Sequence, residues 1–243
     1  MTMKRTIIIL LAIMTLAPAA LRAQDTESLA NTWGFGFQVG VGGALPAGSL
    51  VDEFKSFALF TCGLNAEYNR LRFKADIAYG QPSFKNNNPY DVFDSEGRDL
   101  QLNGTASTTM LGAGLQLGYT VWQQGKISVT PAVGVNFNRL SWDINHIKYE
   151  RDDEGQERPM IENVTSTHES SFGWMVSLDI DFKLHGKLVD APFGGDDQQA
   201  HYISSVRLSP FVAQAKYSNL VPSVKGCCVG MTLSYAGLLR TIK

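Results

Sequence analysis

Along most of the chain, hydrophobic and polar residues alternate with a period of two, which is the pattern of a strand that buries one face and not the other. In the first such segment Trp33, Phe35, Phe37, Val39 and Val41 take the odd positions, and Gly34, Gly36, Gln38, Gly40 and Gly42 the even ones. The second sets Ala58, Phe60, Cys62, Leu64, Ala66 and Tyr68 against Thr61, Gly63, Asn65 and Glu67. The third sets Leu71, Phe73, Ala75, Ile77 and Tyr79 against Arg72, Lys74, Asp76 and Gly80. Alternation returns from Leu111 to Val121, from Ile127 to Phe137, from Phe172 to Leu184, more weakly from Val206 to Val212, and from Val229 to Tyr235. Eight amphipathic strands predict an all-β antiparallel chain.

The polar faces choose between a soluble sandwich and a closed barrel. A sandwich turns its polar faces to water, where glycine weakens a strand to no purpose. A narrow barrel turns them into a lumen just wide enough for side chains, so small residues on one strand must make room for long ones on the next. The Gly112, Gly114 and Gly118 face would then lie beside that of Arg72, Lys74 and Asp76. The pattern therefore predicts an eight-stranded antiparallel up-and-down transmembrane β-barrel with long external loops. Its aromatic residues fall near strand ends: Trp33, Tyr68, Tyr119, Trp122, Tyr202 and Tyr235 at one end, Phe60, Tyr79, Trp142 and Trp174 at the other. Such girdles mark membrane interfaces.

Connections give the barrel a direction. Asn69-Arg70 and Trp122 to Lys126 are short, as periplasmic turns are, whereas Ala44 to Lys55, Pro82 to Ala106, Asp143 to Ser170 and Ser218 to Gly226 are long. His185 to His201 breaks the rule, being a long connection on the short side. If Asn69-Arg70 is a two-residue turn, Tyr68 opposes Leu71, Glu67 opposes Arg72 and Asn65 opposes Lys74. On the inward parity fall Glu67, Arg72, Lys74, Asp76, Asp179, Asp181, Lys183 and Arg207, four acids and four bases. We expect these to pair as a lumen charge network that plugs the barrel against ions.

Lys4 and Arg5 precede an apolar run from Ile7 to Ala20, with Ala23 before Gln24, so residues 1–23 read as a cleaved secretory signal and 24–243 as one outer-membrane barrel domain. Cleavage lowers the basic count from 21 to 18 against 23 acids, a net charge of −5, which offers nucleic acid no partner. A mean hydropathy of −0.08 excludes a helical membrane bundle but not a barrel. Three cysteines cannot form a fully paired framework, and Cys62 is separated from Cys227-Cys228 by the first strand, so no disulfide is expected within the sheet.

Three apparent motifs read as structure. Gly34-x-Gly36 and Gly112-x-Gly114 lack a third glycine at dinucleotide-loop spacing and precede no helix. His168-Glu169-Ser170 has a His-x-Ser spacing but sits in an expected loop without a third catalytic member. Glu150, Asp152, Asp153, Glu154 and Glu157 are interleaved with Arg151 and Arg158, as on a solvated turn. We assign no catalytic residue, no cofactor and no metal.

The alternation, the glycine-rich first strand Gly34-Phe35-Gly36-Phe37-Gln38-Val39-Gly40 and the final strand Cys228 to Tyr235 together resemble the small outer-membrane barrels of the OmpX, OmpA-barrel and PorT-like kind. In that last strand Gly230, Leu233 and Tyr235 look like the assembly signal of such proteins. The resemblance implies the bacterial outer membrane, with its lipid and the barrel assembly machinery as partners, and a monomer. It leaves three roles open: a nonenzymatic structural, adhesion or secretion-accessory role with a protein partner at external loops 82–106 and 143–170, a narrow transport pore, or a lipid-modifying enzyme. The first is favoured because Ser95-Glu96-Gly97 and Asp153-Glu154-Gly155 read as centres of hairpins that could offer an open edge.

Overall fold

The computed structural model describes residues 32–85, 108–151, 155–190, 199–218 and 224–241. They form β1 (Trp33–Gly48), α1 (Leu50–Glu53), β2 (Phe57–Tyr68), β3 (Leu71–Gly80), β4 (Thr108–Tyr119), β5 (Trp122–Gln124), β6 (Ile127–Arg151), β7 (Glu157–Asp190), β8 (Gln199–Tyr217) and β9 (Val224–Thr241). Apart from β4 and β5, neighbours in sequence pair antiparallel; β1 pairs with β9 and β4 with β6, so eight strands close into a ring. The three-residue β5 only extends the turn into β6.

Closure sorts the side chains. Phe35, Val39, Leu64, Ile77, Leu115, Phe172 and Met231 stand exposed on the outside, Leu64 at 68% and Phe172 at 70%, while Gln38, Asn65, Arg72, Asp179 and Ser234 are buried within. A sheet that is apolar outward and charged inward has bilayer as its solvent, and closure satisfies every ladder group there. This is the arrangement of a transmembrane β-barrel.

The shortest turn follows expectation in every register pair: Tyr68↔Leu71, Glu67↔Arg72 and Asn65↔Lys74. Asn69 takes the left-handed conformation that the turn needs, at φ 55°, which asparagine tolerates better than branched residues. The expected packing of glycines beside charges also holds, with Gly118 opposite Arg72 and Gly114 opposite Asp76.

Elsewhere the strands outrun the alternation. β1 continues to Gly48, and the chain then folds back over the barrel mouth through α1 and Phe54, which bridges to Phe84. The span Asp143 to Ser170, read as a long connection with a hairpin centre at Asp153-Glu154-Gly155, carries strands on both sides of that centre: β6 and β7 pair from Asp143↔Ser166 to Arg151↔Glu157, with a register shift at His146/Ile147. His168-Glu169-Ser170 accordingly lies in a strand. The puzzling His185 to His201 connection is largely strand as well, since β7 and β8 pair through to Asp190↔Gln199 past a bulge at Lys183/His185.

Two further expectations are corrected. The final strand does not end at Tyr235 but runs to Thr241, because Ala236, Leu238 and Arg240 keep the inward parity and both β1 and β8 reach that far to pair with them. Trp142 belongs to no outer girdle; it shares the even, inward face of β6 with Asn136 and Leu140 and is buried. Residues 1–23, Ser95-Glu96-Gly97, Asp153, Glu154 and the 191–198 connection lie outside the described residues.

Candidate functional site

The lumen holds two layers of different chemistry. In the half beside the short β2–β3 turn, the strand register brings Arg72 Nε to 2.7 Å from Glu67 Oε1. Arg72 Nη1 then crosses the lumen to β7, at 2.9 Å from Asp181 Oδ2 and 3.5 Å from Asp179 Oδ2. Lys74 Nζ donates to Asp179 at 3.0 Å, and Arg207 Nε to Asp181 Oδ1 at 2.6 Å. Asp179 is fully buried and also accepts from Ser209 Oγ at 2.7 Å.

Six of the eight predicted lumen charges are thus brought into one network, and Asp76 joins it through the amides of Gln38 and Gln116. Lys183, half-buried, lines a polar cavity of ≈ 40 Å³ at the same end of the lumen together with Glu67, Arg72 and Ser128. Sequence reasoning missed one charged member. Arg240, from the extended end of β9, donates through Nη2 to Glu67 Oε2 at 2.8 Å and adds a fifth base to the four counted. It also gave no weight to the neutral partners, such as Gln38, whose Oε1 accepts from Arg207 Nη1 at 2.6 Å. Neutral polar residues on an inward face cannot be told from filler by parity alone.

The opposite half is apolar. Leu50, Phe54, Leu59, Phe84, Met110, Leu140, Trp142, Tyr217 and Val224 form the principal buried cluster, with Phe57 and Phe211 packed against it. Phe54 stacks at 4.9 Å from Phe84, whose ring meets Trp142 edge-on at 6.1 Å. The two loop segments are tied together by Lys55 N–H donating to Ser83 O at 2.8 Å and Lys85 N–H to Glu53 O at 2.7 Å. The result is a roof over the end of the lumen opposite the β2–β3 turn.

Between roof and network lies a cavity of ≈ 100 Å³. Its origin is local. Lower down, each small residue faces a long one, but the next rung pairs Gly112 with Ala78, small beside small, and Ala213 on β8 adds nothing to fill the space.

The remaining predicted positions are scattered. Leu233 and Tyr235 are exposed on the lipid face, and Gly230 faces inward beneath Phe211, whose ring would lie 2.5 Å from any added Cβ. His168 is exposed while Glu169 turns inward and is buried, and Cys62, Cys227 and Cys228 are free.

No protein-family model matches the chain, and no curated protein matches it either. Among solved structures it is similar to Neisserial surface protein A at 11% identity, over 86% of this chain and 97% of that one, with a TM-score of 0.42. Ail, the attachment invasion locus protein of Yersinia pestis, aligns at 9% identity over 86% and 98% of the two chains, with a TM-score of 0.39. A major outer membrane protein from Thermus thermophilus aligns at 12% identity over 85% and 99%, with a TM-score of 0.43. No role passes from them to this chain.

Proposed function

We propose that this protein, secreted through a cleaved signal at residues 1–23 and allied to the OmpX, OmpA-barrel and PorT-like group, is a nonenzymatic surface-interaction barrel that engages a protein partner through its external hairpin. The observation that carries this reading is the β6–β7 ribbon. β4 stops pairing with β6 at Thr108↔Trp142, yet β6 continues with β7 alone to Arg151↔Glu157. Over that stretch the outer edge of β6 has no strand neighbour among the described residues, which is the kind of edge that an added strand of a partner extends. The charge-paired lumen favours this over a transport pore, because the network mixes both signs and leaves no one-sign lining among its members.

The test shortens the ribbon and spares the barrel. Residues 148–160 are deleted and Ile147 is joined to Ile161 through an Asn-Gly turn. The variant should keep the gel shift between unboiled and boiled samples that a closed barrel gives, while adherence of expressing cells to host-cell and bacterial surfaces falls to background. Adherence equal to that of the parent would refute the role of the ribbon.

A further inference from the structure

We infer that the cavity beneath the roof of the lumen binds a small neutral molecule with a ring-sized apolar body and a hydrogen-bond donor, the class of phenols and aryl alcohols. Size sets the body. The volume of ≈ 100 Å³ is of the order of the cavity of about 150 Å³ that stays dry in a protein core and takes up benzene. Leu59, Met110, Phe211 and Ala213 supply apolar wall.

Two of the lining residues carry a polar atom without a partner, which favours a ligand with a polar substituent. Thr61 Oγ1 and Asn136 Oδ1 are buried and have no hydrogen-bond partner, although both residues line the cavity. Asn136 is 5% exposed, and its Nδ2 donates to Gln214 O at 3.1 Å, which fixes the amide so that the carbonyl oxygen is the open atom. A buried acceptor left unpaired is costly, and a ligand O–H or N–H would recover that cost.

Charge on the ligand is disfavoured. The ionic groups at the floor are already matched, Lys74 to Asp179 and Asp76 to the Gln38 and Gln116 amides, so an ion would enter an apolar chamber without a counter-charge.

The full chain, refolded in detergent micelles, is titrated with 4-fluorophenol, fluorobenzene and 4-fluorobenzoate and followed by fluorine NMR. Saturable one-site binding is expected for 4-fluorophenol, weaker binding for fluorobenzene and none for 4-fluorobenzoate. Ala213→Trp and Ala78→Phe, which fill the space, should abolish it, and Thr61→Val should weaken 4-fluorophenol about fivefold while leaving fluorobenzene unchanged. Thr61→Val, which keeps the volume, decides the matter if neither larger side chain folds. Binding unaltered in these variants, absence of saturation, or equal binding of the benzoate would each overturn the assignment.

Discussion

Asp179 is where the lumen charges converge: Lys74, Arg72 and the Ser209 hydroxyl all reach its carboxylate, and no part of it touches solvent. Removing one partner of such a pair leaves the other charge buried and uncompensated, at a cost of about 3–5 kcal/mol. Asp179→Leu should destabilise the barrel by that order in urea unfolding from lipid vesicles. Lys74→Met combined with Asp179→Leu should recover most of the loss, because Arg72 still holds Glu67 and Asp181. A double variant as unstable as the single would show that the charges are not coupled. Parity made these residues legible, since one face of a half-buried strand must carry them all. Arg240 escaped because the clear alternation finishes with Tyr235, five positions earlier.

The end of β9 is the clearest case at the scale of an element. Gly237 to Arg240 pair with β1 on one side and β8 on the other, so they complete the closing seam of the ring. Truncation after Tyr235 strips both ladders there and leaves Glu67 with Arg72 alone. We expect the share of chains refolding to the heat-modifiable form to drop by about half or more, since unpaired backbone is costly in a bilayer. Arg240→Gln should lose far less, keeping the ladder while giving up the ion pair. Comparable yields from the truncated and intact chains would contradict a structural role for the segment. The β6–β7 ribbon was legible through its turn at Asp153-Glu154-Gly155, but the extent of its strands was not. Alternation arises from lipid on one side and lumen on the other, and beyond the bilayer that contrast vanishes, so strand continues without its signature.

For the molecule as a whole, eight strands fix the width and the network fills it. The lumen of so small a ring accommodates side chains, not an open aqueous path. Purified protein in planar bilayers should give no uniform conductance steps above the bare membrane. Reproducible steps of porin size would mean that the charges part or that the ring is wider than eight strands.

Period-two alternation, glycine opposite charge, and one short turn were enough to specify an eight-stranded barrel, its inside and its outside, because each strand's two environments are imposed locally on its own residues. The sequence also determined the register of β2 against β3, where two turn residues leave no freedom. Only the closed structure decided how the lumen divides. Which carboxylate meets which cation depends on strands facing each other across the ring, as Lys74 and Asp179 do over 105 positions. The inward turn of Trp142, the roof of Phe54 and Phe84, and the void where Gly112 meets Ala78 arise the same way, from packing between distant segments that no local pattern encodes.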